Sequence, residues 1–264
     1  GFRIENGVKG TDAVTHTVYL SPDFFERGGF SAYNLTATHT GITIAHDTDV
    51  RLRAMSRVLG QQFALQPTGT ALNQLGSLGF LPDYQQQAVS LGLVFERDKS
   101  IFENTARVEM ESGSSIHTNP GASVSLTSDT NLIVDGTIAA PAGNIQLKLI
   151  RANTEDPQLA DASLTKAIRL GPQGRLLAGA VYQPIPDGAG RGLRLGTVRD
   201  GGKVAIATAT GERKGYFIAS PGSRIDVAGT TQTLDVAQGA SITPIGVNGA
   251  AGSIDLTAAE GMVL

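Results

Sequence analysis

Two carboxylate pairs, four imidazoles and a row of guanidinium groups are the side chains in this sequence with chemistry to offer. Asp47 and Asp49, in "HDTDV", stand two apart, the spacing that puts both on one face of a strand, as an acid/base pair or a calcium site requires. Arg51 and Arg53 continue that face. The outer face of a half-buried strand is polar by default, so the row reads first as solvated surface. Glu109 and Glu111 form a similar pair, alternating with Val108 and Met110 as a one-sided strand does. Asp226, in "SRIDV", has no second carboxylate near it in sequence.

The histidines, His16, His39, His46 and His117, are scattered, with no HExxH or other ligand spacing. Cysteine is absent, which excludes disulfide scaffolds, thiolate metal sites and cysteine nucleophiles. No GxSxG elbow or GxxxxGK[ST] phosphate loop occurs, and "GAGRGLRLG" (188–196) runs from loop to strand with no helix after it. The expectation is therefore of no catalytic, cofactor-binding or metal-binding residues. Arg51, Arg53 and Arg57 make a small basic row, either a salt-paired rim or a contact for an acidic glycan. A sugar platform would draw on Tyr33, Tyr84, Tyr182 and Phe80, since there is no Trp. "NLT" at 34–36 matches a glycosylation sequon, but its Leu35 falls on the inward side of a strand.

The elements that hold these groups are short. In "GGFSAYNLTATHTGITIAHDTDVRLRA" (28–54), Leu35, Ile42, Ile44, Val50 and Leu52 are spaced so that strands of about three to five residues point their aliphatics one way. "NPGASVSL" (119–126) returns 21 positions later as "APAGNIQL" (140–147), which lays Val124 on Ile145 and Leu126 on Leu147. "SPGSRIDV" (220–227) puts Pro221, Gly222, Ile225 and Val227 in the same frame. One such unit cannot bury its apolar face alone; a second, stacked about 4.8 Å away, covers it and pairs its backbone. Composition agrees: 33 Gly, 41% hydrophobic residues but 5% aromatic, suited to tight turns and close strands. With 21 basic and 24 acidic residues, a net charge of −3, there is no field for nucleic acid or for an anionic membrane.

The expected fold is all-β, a right-handed parallel β-helix (solenoid), with coils over 1–55 and 107–264 and a partly helical excursion over 56–106. In the excursion, "DYQQQAVS" (83–90) suggests a short helix that Asp83 caps, and "RANTEDPQLADASLTKA" (151–167) a second partly helical departure. No run approaches 18 apolar residues, and "GFRIENGVKG" has no basic stretch followed by an apolar one, so neither a membrane span nor a signal peptide is expected. The first and last residues read as text from within a longer protein.

"GGFSAYNLTATHTGITIAHDTDVRLRA", "LIVDGTIAAPAGNIQL" and "GSRIDVAG" with "AGSIDLTAAEGMVL" resemble passages of large filamentous-haemagglutinin-like exoproteins, over most of the chain outside 56–106. The resemblance implies a secreted bacterial cell-surface protein exported by two-partner secretion through an outer-membrane transporter. It implies service as an adhesin or rigid fibrous stalk in cell attachment, biofilm formation or contact-dependent delivery. The implied partners are that transporter and a host or bacterial surface glycan or protein, with no nucleic acid, no membrane insertion and no cofactor. "NPG" (119–121) sits inside a repeat, without the further Asn, Leu or Ile of a transporter-recognition motif, which places the segment in the middle or later part of its parent. The alternative is a polysaccharide lyase or glycoside hydrolase on a β-helix scaffold. That would need a carboxylate trio, or an arginine, carboxylate and calcium site, on one outward face, where the sequence shows isolated pairs.

Overall fold

A computed structural model describes residues 1–7, 10–97, 106–150, 166–208, 215–239 and 241–264. Among these residues the chain is mostly strand. It forms sheets of nine, six and five strands and three two-stranded hairpins, with only single-turn helical pieces between them. Every neighbour in the three large sheets runs parallel except Gly10–Asp12, which closes one end of the nine-stranded sheet against Thr17–Leu20.

The chain visits the three large sheets in a fixed order. Ile42–Ile44 lies in the nine-stranded sheet, Asp49–Leu52 in the five-stranded and Ser90–Phe95 in the six-stranded. Val108–Met110, Ser115–Thr118 and Ser123–Ser128 repeat the circuit, and Leu132–Val134, Thr137–Ala139 and Asn144–Leu149 repeat it again. Two further passes begin at Ala167–Leu170 and Tyr216–Ala219. Each pass adds one strand to each sheet.

The 21-residue echo is one such pass. Val124 lies opposite Ile145 and Leu126 opposite Leu147, with Leu91 and Leu93 on the other side. In the five-stranded sheet Val50, Ile116, Ile138, Leu176 and Ile225 form one column. These columns point into a single core in which Leu93, Leu126, Ile116 and Leu147 are fully buried. Strands alternate because period-two side chains must face the core on one side and water on the other. They stop at corners that glycine permits. Gly121 turns at φ +87°, and a Cβ on Gly202 would stand 1.7 Å from the carbonyl oxygen of Gly143 in the preceding pass.

Several expectations need correcting. "SPGSRIDV" uses the same wording at a different corner: Arg224–Asp226 enters the five-stranded sheet, with Ile225 opposite Leu176, whereas the other two phrases enter the six-stranded one. A turn followed by alternating aliphatics specifies a strand after a corner, not which corner. The departure expected over 56–106 ends earlier, because Leu91, Leu93 and Phe95 alternate inward and Ser90–Phe95 pairs with both Ala32–Ala37 and Ser123–Ser128. The helix expected near 83–90 is one 3-10 turn, Asp83–Gln85, and no side chain caps it. Val89, wholly buried, already belongs to the approach of the next strand, and sheet pairing overrides helix propensity there. Within 107–264 the stack is interrupted by the antiparallel hairpins Val181–Ile185 with Leu195–Arg199 and Thr230–Gln238 with Ser241–Gly249. The helical departure expected over 151–167 falls on residues outside the described ones, apart from Lys166, which is in no element, and Ala167, which opens a strand.

Because Leu126 is covered by both neighbouring passes, Leu126→Ala should lower unfolding stability by about 2–5 kcal/mol, while Ser125→Ala on the outer face stays within about 0.5. Urea titrations of the two variants against the parent chain check this. Equal losses would show that the inward column does not form the core.

Candidate functional site

Each pass crosses from the five-stranded to the six-stranded sheet at the same corner. In two successive passes the crossing takes only residues 119–122 and 140–143. In the other three it is replaced by longer segments, 53–89, 178–202 and 227–252. The elaborations therefore share one edge of the stack, and they touch. Arg194 N donates to Asp235 Oδ2 at 2.7 Å and Asp235 N to the Arg194 carbonyl at 3.0 Å, tying the two later hairpins together. Gln183 Nε2 donates to the Asp83 carbonyl oxygen at 2.8 Å, tying the hairpin Val181–Ile185 to the first elaboration.

Between these two walls lies a groove of about 480 Å3. Its floor is the tight crossing, with Asn119 and Pro120, and the strand that leads into it, with His117; Arg51, Arg53 and Asp83 lie on one side and Tyr182 and Gln183 on the other. Asn119 Nδ2 donates to Gln86 Oε1 at 2.9 Å, and Tyr182 OH donates to the Leu195 carbonyl oxygen at 2.8 Å, so floor and far wall are fixed by their own hydrogen bonds. Arg53 lies over the Phe80 ring, 4.5 Å from its centroid, and 3.7 Å from Asp83.

One end of the groove is organised by Asp49. In-register pairing sets Asp49 beside Ser115 and Arg51 beside His117 on the outer face. Ser115 Oγ donates to Asp49 Oδ1 at 2.7 Å, His117 Nδ1 lies 2.8 Å from the same oxygen, and Arg51 Nε donates to Oδ2 at 2.7 Å. Partial burial opposes ionisation of Asp49, but the donors on Ser115, Arg51 and His117 outweigh it and lower its pKa from 3.8 to about 2. The carboxylate thus holds the imidazole by one nitrogen and the guanidinium by one of its N–H groups.

The other sequence candidates disperse. Asp47 does not share a face with Asp49: it sits in the turn before the strand at φ +53°, its carboxylate 2.9 Å from His46 Nε2. Glu109 pairs with Arg107 at 2.7 Å; Glu111 takes Arg3 at 3.2 Å and the backbone N–H of His46 at 2.8 Å. Asp226 pairs with Arg224 and accepts the Ala228 N–H at 2.9 Å. Arg57 is turned away from the groove, donating to the Gly76 carbonyl oxygen at 2.8 Å within its hairpin. The rings of His16 and His39 lie 6.0 Å apart, tilted by 46°, near the first passes, and no group of three or more His, Asp or Glu able to hold a metal occurs among the described residues. Tyr33 is no sugar platform, being buried against Phe24, Phe25 and Phe30. Asn34 of the sequon is exposed.

Sequence reading separated His117 from Asp49, which lie 68 positions apart. Laying "DVRL" (49–52) over "SIHT" (115–118) as neighbouring strands is the signal that joins them, and Gln183 and Asn119 had no such signal. Comparison with known proteins finds no matching family model, no matching curated protein and no matching solved structure.

A carboxylate whose folded pKa lies below its unfolded value adds stability above the unfolded value and loses it as pH falls through the folded one. Asp49→Asn should therefore destabilise the chain at pH 6 and much less at pH 2, measured as thermal midpoints of both proteins across that range. A gap that does not narrow on acidification would show that the three donors do not hold an ionised Asp49.

Proposed function

We propose that this chain is a segment of a large exported bacterial surface protein, a right-handed parallel β-helix stalk whose one elaborated corner is its contact face. Its service is attachment, biofilm formation or contact-dependent delivery. The cyclic order of the three parallel sheets supports the β-helix, and the near-universal hand of parallel crossovers supports its right-handed sense. The filamentous-haemagglutinin-like wording of the strands supports an extracellular place and export of the parent by a two-partner outer-membrane transporter. No helix among the described residues is long and apolar enough to cross a membrane.

The observation that carries the contact face is the placement of all three elaborations at one corner, where those at 53–89 and 178–202 enclose a groove. A spacer has no need of loops, and here they gather on one edge and bond to one another. The second reading, a polysaccharide lyase or glycoside hydrolase, draws on the meeting of Asp49, His117 and Arg51 beside that groove.

The intact chain on a glycan array, and on host and bacterial cell surfaces, separates these outcomes. Retention without product release is expected. Release of shortened saccharides would assign the groove to an enzyme, and silence on every surface would reduce the chain to a spacer.

A further inference from the structure

The geometry points to a carboxylate-bearing saccharide, a uronate or a sialate, as the ligand of the corner groove. This rests on reading that corner as a contact face, and it adds the chemical class. Arg51 uses its Nε–H on Asp49, yet its side chain remains 58% exposed at the groove, with four further N–H donors in the planar fork that a carboxylate matches. His117 is held by its Nδ1, which leaves Nε2 as its remaining polar atom. Both side chains are anchored to Asp49, so the site is ordered before a ligand arrives and little side-chain entropy is lost on binding.

The rest of the groove suits a sugar ring rather than a bare anion. Pro120, Pro184 and the Tyr182 ring give apolar surface for the C–H face of a pyranose, while Asp83 and the side-chain oxygen of Asn119, whose amide nitrogen is spent on Gln86 and Gln87, offer acceptors to hydroxyl groups. Both ends hold an arginine–aspartate pair, but they present it differently. Both oxygens of Asp49 are taken up by Ser115, His117 and Arg51, which leaves the Arg51 fork facing outward, whereas the Asp83 side chain is 88% exposed and would repel a carboxylate and accept hydroxyls. A simple anion would have no use for that second half.

The test is calorimetric titration of the full chain with a tetragalacturonate and with sialyllactose, each beside its neutral counterpart, the methyl-esterified tetramer and lactose. Binding of one acidic sugar, at least about tenfold tighter than its neutral partner, is expected, and it names the source of the carboxylate. Arg51→Gln should remove that preference, again about tenfold, with an unchanged circular dichroism spectrum. If Arg51→Gln unfolds, His117→Gln, which keeps a polar side chain at an exposed position of the neighbouring strand, serves in its place. Equal affinity for acidic and neutral sugars, or tight binding of free acetate instead, would overturn the assignment. No binding by any of the four sugars would overturn it too, while retention on cell surfaces would still stand as a separate measure of the contact face.

Discussion

The three sheets that carry the core depend on neighbours that successive passes of the chain supply. A run such as Val124 to Leu126 has an apolar face it cannot cover and backbone groups it cannot pair, and both needs are met only by Leu91 to Leu93 on one side and Ile145 to Leu147 on the other. Because parallel pairing fixes register residue by residue, the inner columns cannot be ordered without ordering the outer ones as well. Asp49 meets Ser115, and Arg51 meets His117, as a consequence of Val50 meeting Ile116. The polar cluster is set by the core, and it inherits the precision of the core.

The same constraint governs the end of the stack where the circuit starts. A sheet edge carries unpaired N–H and C=O groups that invite association. There the nine-stranded sheet is continued by Thr17–Leu20 and then by Gly10–Asp12 running antiparallel, which departs from the direction the other strands of that sheet keep. The helical turn Phe24–Arg27 packs near Asp49–Leu52 and sinks Phe25 wholly into the core, against Tyr33. An aromatic plug there does the work that an aliphatic row does elsewhere.

How much of this the sequence disclosed follows from what is periodic. The strand interiors are legible since aliphatics at every second residue are a local signal, and the pairing of "NPGASVSL" with "APAGNIQL" is read directly as register. "SLGLVF" carries the same alternation but follows a glutamine-rich stretch, and Gly92 on its outer face removes the polar half of the pattern. The hairpins at 181–199 and 230–249 were hidden for the opposite reason: antiparallel strands have the same alternation as parallel ones, and nothing in a single strand states the direction of its partner. The groove was the least legible. Arg51 and Tyr182 were visible as side chains worth noticing, but their meeting depends on a hairpin folding back over a turn 60 residues earlier, with Gln183 reaching Asp83 across a separation of 100.

The corner is also the cheapest place for variety to enter. A crossing between sheets carries only a few of the backbone bonds between passes, such as Gly121 N–H to the Pro141 carbonyl, and its two ends are already held close by the strands on either side, as residues 119–122 and 140–143 show. Lengthening a closed loop costs only about 0.6 kcal/mol per doubling, so a hairpin can replace a tight turn with little effect on the passes around it. The register bears this out. Leu147 pairs with Ile206 across the elaboration at 178–202 as it pairs with Leu126 across the tight turn, with no slip of a residue. A scaffold of this kind separates the residues that keep the stack together from those that meet a ligand. The groove can be remade by exchanging crossings while the columns beneath it stay fixed, and a mutation in those crossings is expected to alter recognition before it alters folding.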